Sequence, residues 1–186
     1  MEIVRIPLAG CQQLSPHFGG FFTMIRPTTP EETSTLVALA EETGVFKPFE
    51  IVALREVLDD YHAFEHKHGH RAVTYFENDQ PIGFAYYAPA DMADRTWYLY
   101  WIAVSKKIQA KGVGGQLMKY AEDDIRSVNG RVLFIDTSGL PHYDLTRKFY
   151  FKQGYELGAT LKDFYADGDD LVVFRKRLQP PSKTEH

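Results

Sequence analysis

The stretch AVSKKIQAKGVGGQLM, residues 103–118, decides how the chain is read. An apolar run ends at Val104, a loop carrying Lys106, Lys107 and Lys111 follows, and Gly112, Gly114 and Gly115 lead into a helical pattern. Inside a helix each glycine costs about 1 kcal/mol relative to alanine. Bare backbone at a helix start has a use that offsets this cost. The first four N–H groups of a helix lack intrahelical partners, and the aligned peptide dipoles place about half a positive charge there. A phosphate can take those N–H groups if no Cβ stands in its path.

Upstream of this stretch, TWYLYWIAV (96–104) is aromatic and β-branched and apolar on both faces, which predicts a central strand. Downstream, LMKYAEDDIRSV continues the helix and RVLFIDT (131–137) reads as a second buried strand. A strand, a helix and a strand in this order make a crossover, so the two strands are expected to be parallel neighbours. Further out, FFTMIRP (21–27) is a first strand. Thr29-Pro30-Glu31-Glu32 is a helix start, with a capping threonine, proline at the first helical position and glutamate at the third. Leu36, Leu39 and Ala40 form one face of that helix, and Gly44 ends it. A second helix follows Pro48, with Ile51, Leu54, Val57, Leu58 and Tyr61 at helical spacing. AVTYFEN (72–78) and PIGFAYYA (81–88) form a hairpin through Asn78-Asp79-Gln80. DLTRKFYFKQG (144–154) is a short helix, with Asp144 expected as cap and Gly154 as stop. YELGATLKDFY and LVVFRKRL close the chain as a hairpin. The order β-α-α-β-β-β-α-β-α-β-β predicts an α/β fold with a central mixed sheet flanked by helices.

The 186 residues are 44% hydrophobic and 25% charged, enough for one globular domain with a substantial core. A net charge of −4 offers no global attraction to nucleic acid or an anionic membrane. The single cysteine, Cys11, excludes an intrachain disulfide and a four-cysteine zinc site, and fits a reducing cytoplasmic setting. The apolar start of the chain is broken by Pro7, Gly10 and Gln12-Gln13, unlike a signal peptide core. Residues 1–22 are therefore expected to be an extension, 23–178 the domain, and 179–186 a tail.

Three glycine-rich designs bind phosphate. The nucleoside triphosphate loop needs lysine after its last glycine, and here Lys111 precedes Gly112. The dinucleotide fingerprint G-x-G-x-x-G matches at Gly112 and Gly114, and Asp136 ends the next strand near the ribose-binding spacing, but the third position is Leu117. The third design, Gln109-x-x-Gly112-x-Gly114 after a strand and opening a helix, resembles the GNAT superfamily of acetyl-CoA-dependent N-acetyltransferases. TRKFYFKQGY (146–155) is similar to that family's second signature, Ala-x-x-Phe-Tyr-x-x-x-Gly-Phe. The resemblance runs from about Met24 to Leu178.

The resemblance implies an acyl-CoA N-acyltransferase fold and an enzyme that uses acetyl-CoA as acetyl donor. It implies that Gln109, Lys111, Gly112, Val113, Gly114 and Gly115 hold the pyrophosphate, and that the pantetheine arm pairs with the backbone of Ile102, Ala103 and Val104 where the two parallel strands part. It implies that Tyr150 protonates the departing thiolate. A phenol of pKa about 10 does this slightly uphill against a thiol near 8.5. The family's central-strand glutamate has no counterpart in TWYLYWIAV, and the asparagine often found seven residues before the tyrosine is here Tyr143. Asp94, Glu77, Glu65 or a histidine are the candidate bases, acting through water.

A covalent route through Cys11 is not expected, because that thiol lies outside the apparent domain. The acceptor is an amine on a small molecule, a peptide terminus or a protein lysine, and an exposed strand edge would allow a homodimer. His62, His66, His68 and His70 have partial metal-ligand spacing, but a glycine interrupts the set and no cysteine joins it, so no metal site is expected. They and His142 are candidates for the surroundings of the acceptor cleft. Trp97, Tyr98, Tyr100 and Trp101 are expected in the core, with one or two facing substrate. Two other readings remain, a CoA-binding sensor without catalysis and a dinucleotide-dependent oxidoreductase.

Overall fold

The computed structural model describes residues 22–108 and 112–180. The strands are β1 (Thr23–Pro27), β2 (Arg71–Glu77), β3 (Gln80–Pro89), β4 (Thr96–Val104), β5 (Val132–Ser138), β6 (Glu156–Ala166) and β7 (Asp169–Arg177). The helices are α1 (Thr33–Thr43), α2 (Pro48–Ala63), α3 (Val113–Ser127) and α4 (Asp144–Lys152), with short 3-10 turns at Pro30–Glu32, Glu65–His68 and Pro141–Tyr143. This is the element order read from the sequence. The seven strands form one sheet in the order β1-β2-β3-β4-β5-β7-β6. Only β4 and β5 are parallel neighbours, as their crossover through α3 requires.

Local chemistry sets the turns. Asn78 and Asp79 both have positive φ (50° and 61°), so the β2–β3 turn is a tight two-residue one. Gly44 caps α1 at φ 62°. Asp144 does not cap α4. Tyr143 occupies that position, and the Asp144 carboxylate instead pairs with Arg147 one turn on.

Each face of the sheet is covered by a pair of helices. On one face α3 packs Val113, Leu117, Met118, Ala121 and Ile125 onto Leu99, Leu133 and Ile135, with Tyr150 of α4 in the same cluster. On the other, Leu36, Leu39 and Ala40 of α1 and Leu54, Leu58 and Tyr61 of α2 cover Phe84, Tyr86 and Ala103. Leu117, the residue that broke the dinucleotide fingerprint, is fully buried in the first cluster. No helix among the described residues is long and apolar enough to cross a membrane.

Candidate functional site

The site begins with a fault in β4. Tyr86 and Tyr87 are adjacent on β3, but they face Trp101 and Leu99, so Tyr100 is an extra, bulged residue. A bulge bends its strand and increases the local twist. The pairing of β4 with β5 ends there too, at Leu99↔Ile135, although β4 continues to Val104 and β5 to Ser138. Beyond that pair the two strands part, and a cleft of about 910 Å³ occupies the gap.

On the α3 side the cleft is lined by Ile102, Val104, Gly112, Val113, Gly114, Gly115 and Tyr150, and Ala103 lines it from the α1–α2 face of β4. The structure therefore brings together all the sequence-predicted site residues that it describes. Gln109 and Lys111 lie outside the described residues. Gly112 precedes α3 at φ 81°, a conformation that favours glycine, and a Cβ on it would meet nothing within 4 Å. The first helical hydrogen bond runs from the Gln116 N–H to the Gly112 carbonyl at 3.1 Å. The N–H groups of Val113, Gly114 and Gly115 precede it and lack helical partners.

Tyr150 is buried, its ring 5.4 Å from Phe174 and 5.5 Å from Phe149 by centroid. Burial raises its phenol well above the ordinary value of 10. Its hydroxyl makes no hydrogen bond to another described residue. Tyr143 also lines the cleft, and its hydroxyl donates to the Val45 carbonyl at 3.2 Å, which ties the turn before α4 to the α1–α2 connection.

On the α2 side the wall is aromatic and acidic. Phe134 stacks on Tyr98 at 5.6 Å, and Tyr98 lies 5.8 Å from Tyr100. Tyr98, Tyr100, Trp101, Phe46, Phe49 and Tyr165 line this half of the cleft, whereas Trp97 is core. Asp136, one residue past the last position at which β5 pairs with β4, opens into the gap. The surrounding protein raises its carboxyl above the usual aspartate range by desolvation. Asp169 is buried and compensated, accepting from the Ser138 hydroxyl and facing Lys47 at 3.5 Å. Glu50 accepts the Lys47 backbone N–H at 2.6 Å.

None of Asp94, Glu77 and Glu65 lines the cleft. His62, His66, His68 and His70 do not line it either. His66 meets the Tyr61 carbonyl at 2.8 Å, and His70 bridges the Tyr86 hydroxyl (2.5 Å) and Glu65 (3.2 Å). Of the histidines considered, His142 reaches the cleft. Asp136 was not among the candidate bases read from the sequence, although a signal for its place in the cleft was present: it is the aspartate near the end of an apolar crossover strand, and open α/β sheets bind ligands beyond such carboxyl ends.

The sequence profile of the acetyltransferase (GNAT) family matches residues 36–155, which takes in the bulged strand, the glycine helix start and Tyr150. The chain belongs to that family. A GNAT-family protein of Desulfovibrio desulfuricans, assigned as an acetyltransferase, superposes with a TM-score of 0.82 at 33% identity, over 85% of this chain and 100% of its own. An uncharacterised N-acetyltransferase of Methanocaldococcus jannaschii is 32% identical over 79 residues, 41% of this chain and 48% of that protein, so the match spans about half of that relative. An acetyltransferase-like protein of Salmonella typhimurium, solved with its cofactor acetyl-CoA, has a TM-score of 0.72 at 16% identity, over 88% of this chain and 98% of its own. An aminoglycoside 6'-N-acetyltransferase complexed with coenzyme A has a TM-score of 0.68 at 17% identity, over 86% and 99%. The last two share the fold. The mixed sheet with its flanking helices is the fold this GNAT-family protein shares with those structures, and the dinucleotide reading is set aside.

Proposed function

We propose that this GNAT protein transfers the acetyl group of acetyl-CoA to a primary amine by direct attack in a ternary complex. The observation that supports it best is that the parting of β4 from β5 puts three things in one cleft: a helix start whose first N–H groups lack helical partners, the stretch of β4 beyond its pairing with β5, and a buried tyrosine. In this reading the pyrophosphate takes the N–H groups of Val113, Gly114 and Gly115, with Gly112 leaving the approach open and Gln109 and Lys111 as further contacts. The pantetheine arm runs along Ile102, Ala103 and Val104. The thioester then lies in the gap between the strands.

The neutral amine attacks the thioester carbon. The C–N bond forms, the C–S bond breaks, the Tyr150 hydroxyl gives its proton to the sulfur, and the proton lost by the nitrogen restores the phenol through water. Burial makes that phenol a weak acid in isolation, so its contribution rests on position beside a developing thiolate.

The test is a thermal shift with acetyl-CoA, CoA, NADH and ATP, followed by free-thiol release with acetyl-CoA and a panel of amines. CoA compounds should raise Tm, NADH and ATP should not, and thiol should appear only with an acceptor. A larger shift from NADH than from CoA would overturn the reading. The absence of a carboxylate from β4 favours one alternative, a CoA-binding module without turnover. It predicts the shift without thiol release.

A further inference from the structure

From the open sheet face beside the gap we infer that the acceptor is a monocationic primary amine on an aromatic or apolar body, with its ammonium held by Asp136 and its body laid on Tyr98 and Tyr100. This rests on the acetyl-transfer reading above and adds to it the acceptor class and the proton acceptor.

The placement follows from strand geometry. Alternate residues of a strand share a face, so Leu133 and Ile135 point to the α3 side, where they lie in the core, and Phe134 and Asp136 point to the opposite side. Tyr98 and Tyr100 join them there: Phe134 stacks on Tyr98, and Tyr100 lies 6.2 Å from Tyr86, which packs under α1 and α2. Tyr100 is 55% exposed and Tyr165 44%, so large rings stand open in the wall of a cleft. Such exposed aromatic surface marks a place where a ligand's apolar body is taken up.

Charge sets the number of positive groups. Three described carboxylates line the cleft. Asp169 is matched by Lys47 and the Ser138 hydroxyl, and Glu50 is engaged at the start of α2. The Asp136 carboxylate is exposed in the cleft wall and has no hydrogen bond or ion pair with any described residue. One carboxylate with no partner among the described residues suits one ammonium. A polyamine or an aminoglycoside would bring several charges to a wall that also carries Lys47 and Lys152. The aromatic rings favour a cation held over their faces and an apolar body beside it.

Asp136 and Tyr150 lie on opposite faces of the sheet, joined by the gap between β4 and β5. This arrangement suits amine attack. Asp136 takes one proton from the ammonium, and the freed amine attacks the thioester carbon from its side. The C–S bond breaks toward Tyr150, which protonates the sulfur. The second nitrogen proton restores the Tyr150 phenol through water, and the proton on Asp136 passes to solvent.

The experiment compares phenethylamine, spermidine and kanamycin as acceptors for the full chain, and repeats the best acceptor with Asp136→Asn. The expected result is kcat/KM for phenethylamine at least about tenfold above the polycations, and a loss of about 100-fold in Asp136→Asn with acetyl-CoA affinity unchanged by calorimetry. Asp136→Glu should recover part of the rate, which a structural role for the aspartate would not produce. A preference for spermidine or kanamycin, or an Asp136→Asn rate within about threefold of wild type, overturns the inference. CoA binding without turnover of any of the three amines overturns the acceptor class and leaves the donor site standing. No CoA binding at all would instead remove the acetyl-transfer reading itself.

Discussion

Phe149 fills the space in which a side chain at Gly114 would stand. A Cβ on Gly114 would lie 3.2 Å from Phe149 Cζ and 3.3 Å from Cε2. At Gly115 it would lie 3.3 Å from Gln153 Oε1. The two helical glycines therefore let α4 settle across the start of α3, which holds Tyr150 beside the cleft. Of the three glycines, Gly112 alone faces open space. The sequence reading assigned all three to phosphate approach, and the structure adds packing as a second reason for two of them.

Gly114→Val is accordingly expected to do two things. It overpacks against Phe149 and should cost about 1–3 kcal/mol of stability, and it should weaken CoA binding by standing over the helix N–H groups. Adding Phe149→Leu separates the effects. The double variant should recover Tm without recovering CoA affinity by calorimetry. If affinity returns together with Tm, the glycine serves packing alone.

A buried ion network holds the far side of the same unit. Glu122 of α3 is buried and accepts from Lys176 (2.8 Å), Arg126 (3.0 Å) and the Tyr155 hydroxyl (3.2 Å). Lys176 also donates to the Gln153 carbonyl at 2.8 Å, which pins the end of α4 to β7. Removing one member leaves the others partly desolvated. Glu122→Ala should cost about 3 kcal/mol, the low end for a broken buried pair, because Lys176 and Arg126 keep some contact with water. Chemical denaturation measures this directly, and a loss below about 1 kcal/mol would mean the network behaves like a surface pair. Glu122→Leu combined with Lys176→Met should lose less than Glu122→Ala alone, since it leaves no unpaired ammonium.

The pattern of elements was legible because local and global signals agree. TWYLYWIAV is apolar on both faces and became the middle strand of seven, and the glycine run did open a helix. The bulge at Tyr100 was not legible. It arises from the pairing of β4 with β3, and nothing in the residue types of β4 marks it. The residue types placed Asp136 at the carboxyl end of a crossover strand, but only the bulge opposite it on β4 shows that it opens into the gap. The histidine tract was ambiguous for a related cause. Its partners, Tyr61 and Tyr86, come from α2 and β3 and meet it only in the fold.

His62 gives an acid-sensitive contribution to stability. Its Nε2 is buried without a hydrogen-bond partner. Burial lowers its pKa from the ordinary 6.5, against the opposing pull of Asp59, Glu31 and Glu32. A histidine with a lowered folded pKa is neutral in the fold and binds its proton more readily when unfolded. Stability is therefore fully present above pH 6.5 and falls as pH drops below it toward the lower folded value. The slope from this one group cannot exceed about 1.4 kcal/mol per pH unit. His62→Leu should flatten the fall in Tm between about pH 7.5 and 5.5, a range that brackets the ordinary histidine pKa. Parallel Tm profiles for the variant and wild type would show that His62 does not titrate on unfolding.

Tyr150→Phe tests the mechanism. The ring keeps its contacts with Phe149, Tyr155 and Phe174. The lost hydroxyl has no partner among the described residues, so Tm should be unchanged or slightly higher. A hydroxyl that bonds to no described residue adds nothing to the packing around it, so its presence needs another reason. Protonation of the thiolate supplies one. The same burial that raises the phenol pKa keeps the proton on Tyr150 until charge develops on the sulfur, so the benefit is confined to the transition state. The expected pattern is kcat lower by about 10²-fold, acetyl-CoA affinity nearly unchanged, and Tm retained. Pre-steady-state kinetics would place the loss in thiol release and not in amine binding. A kcat within about threefold of wild type, well short of the range for a positioned general acid, would assign the proton to water and leave Tyr150 as a wall of the cleft.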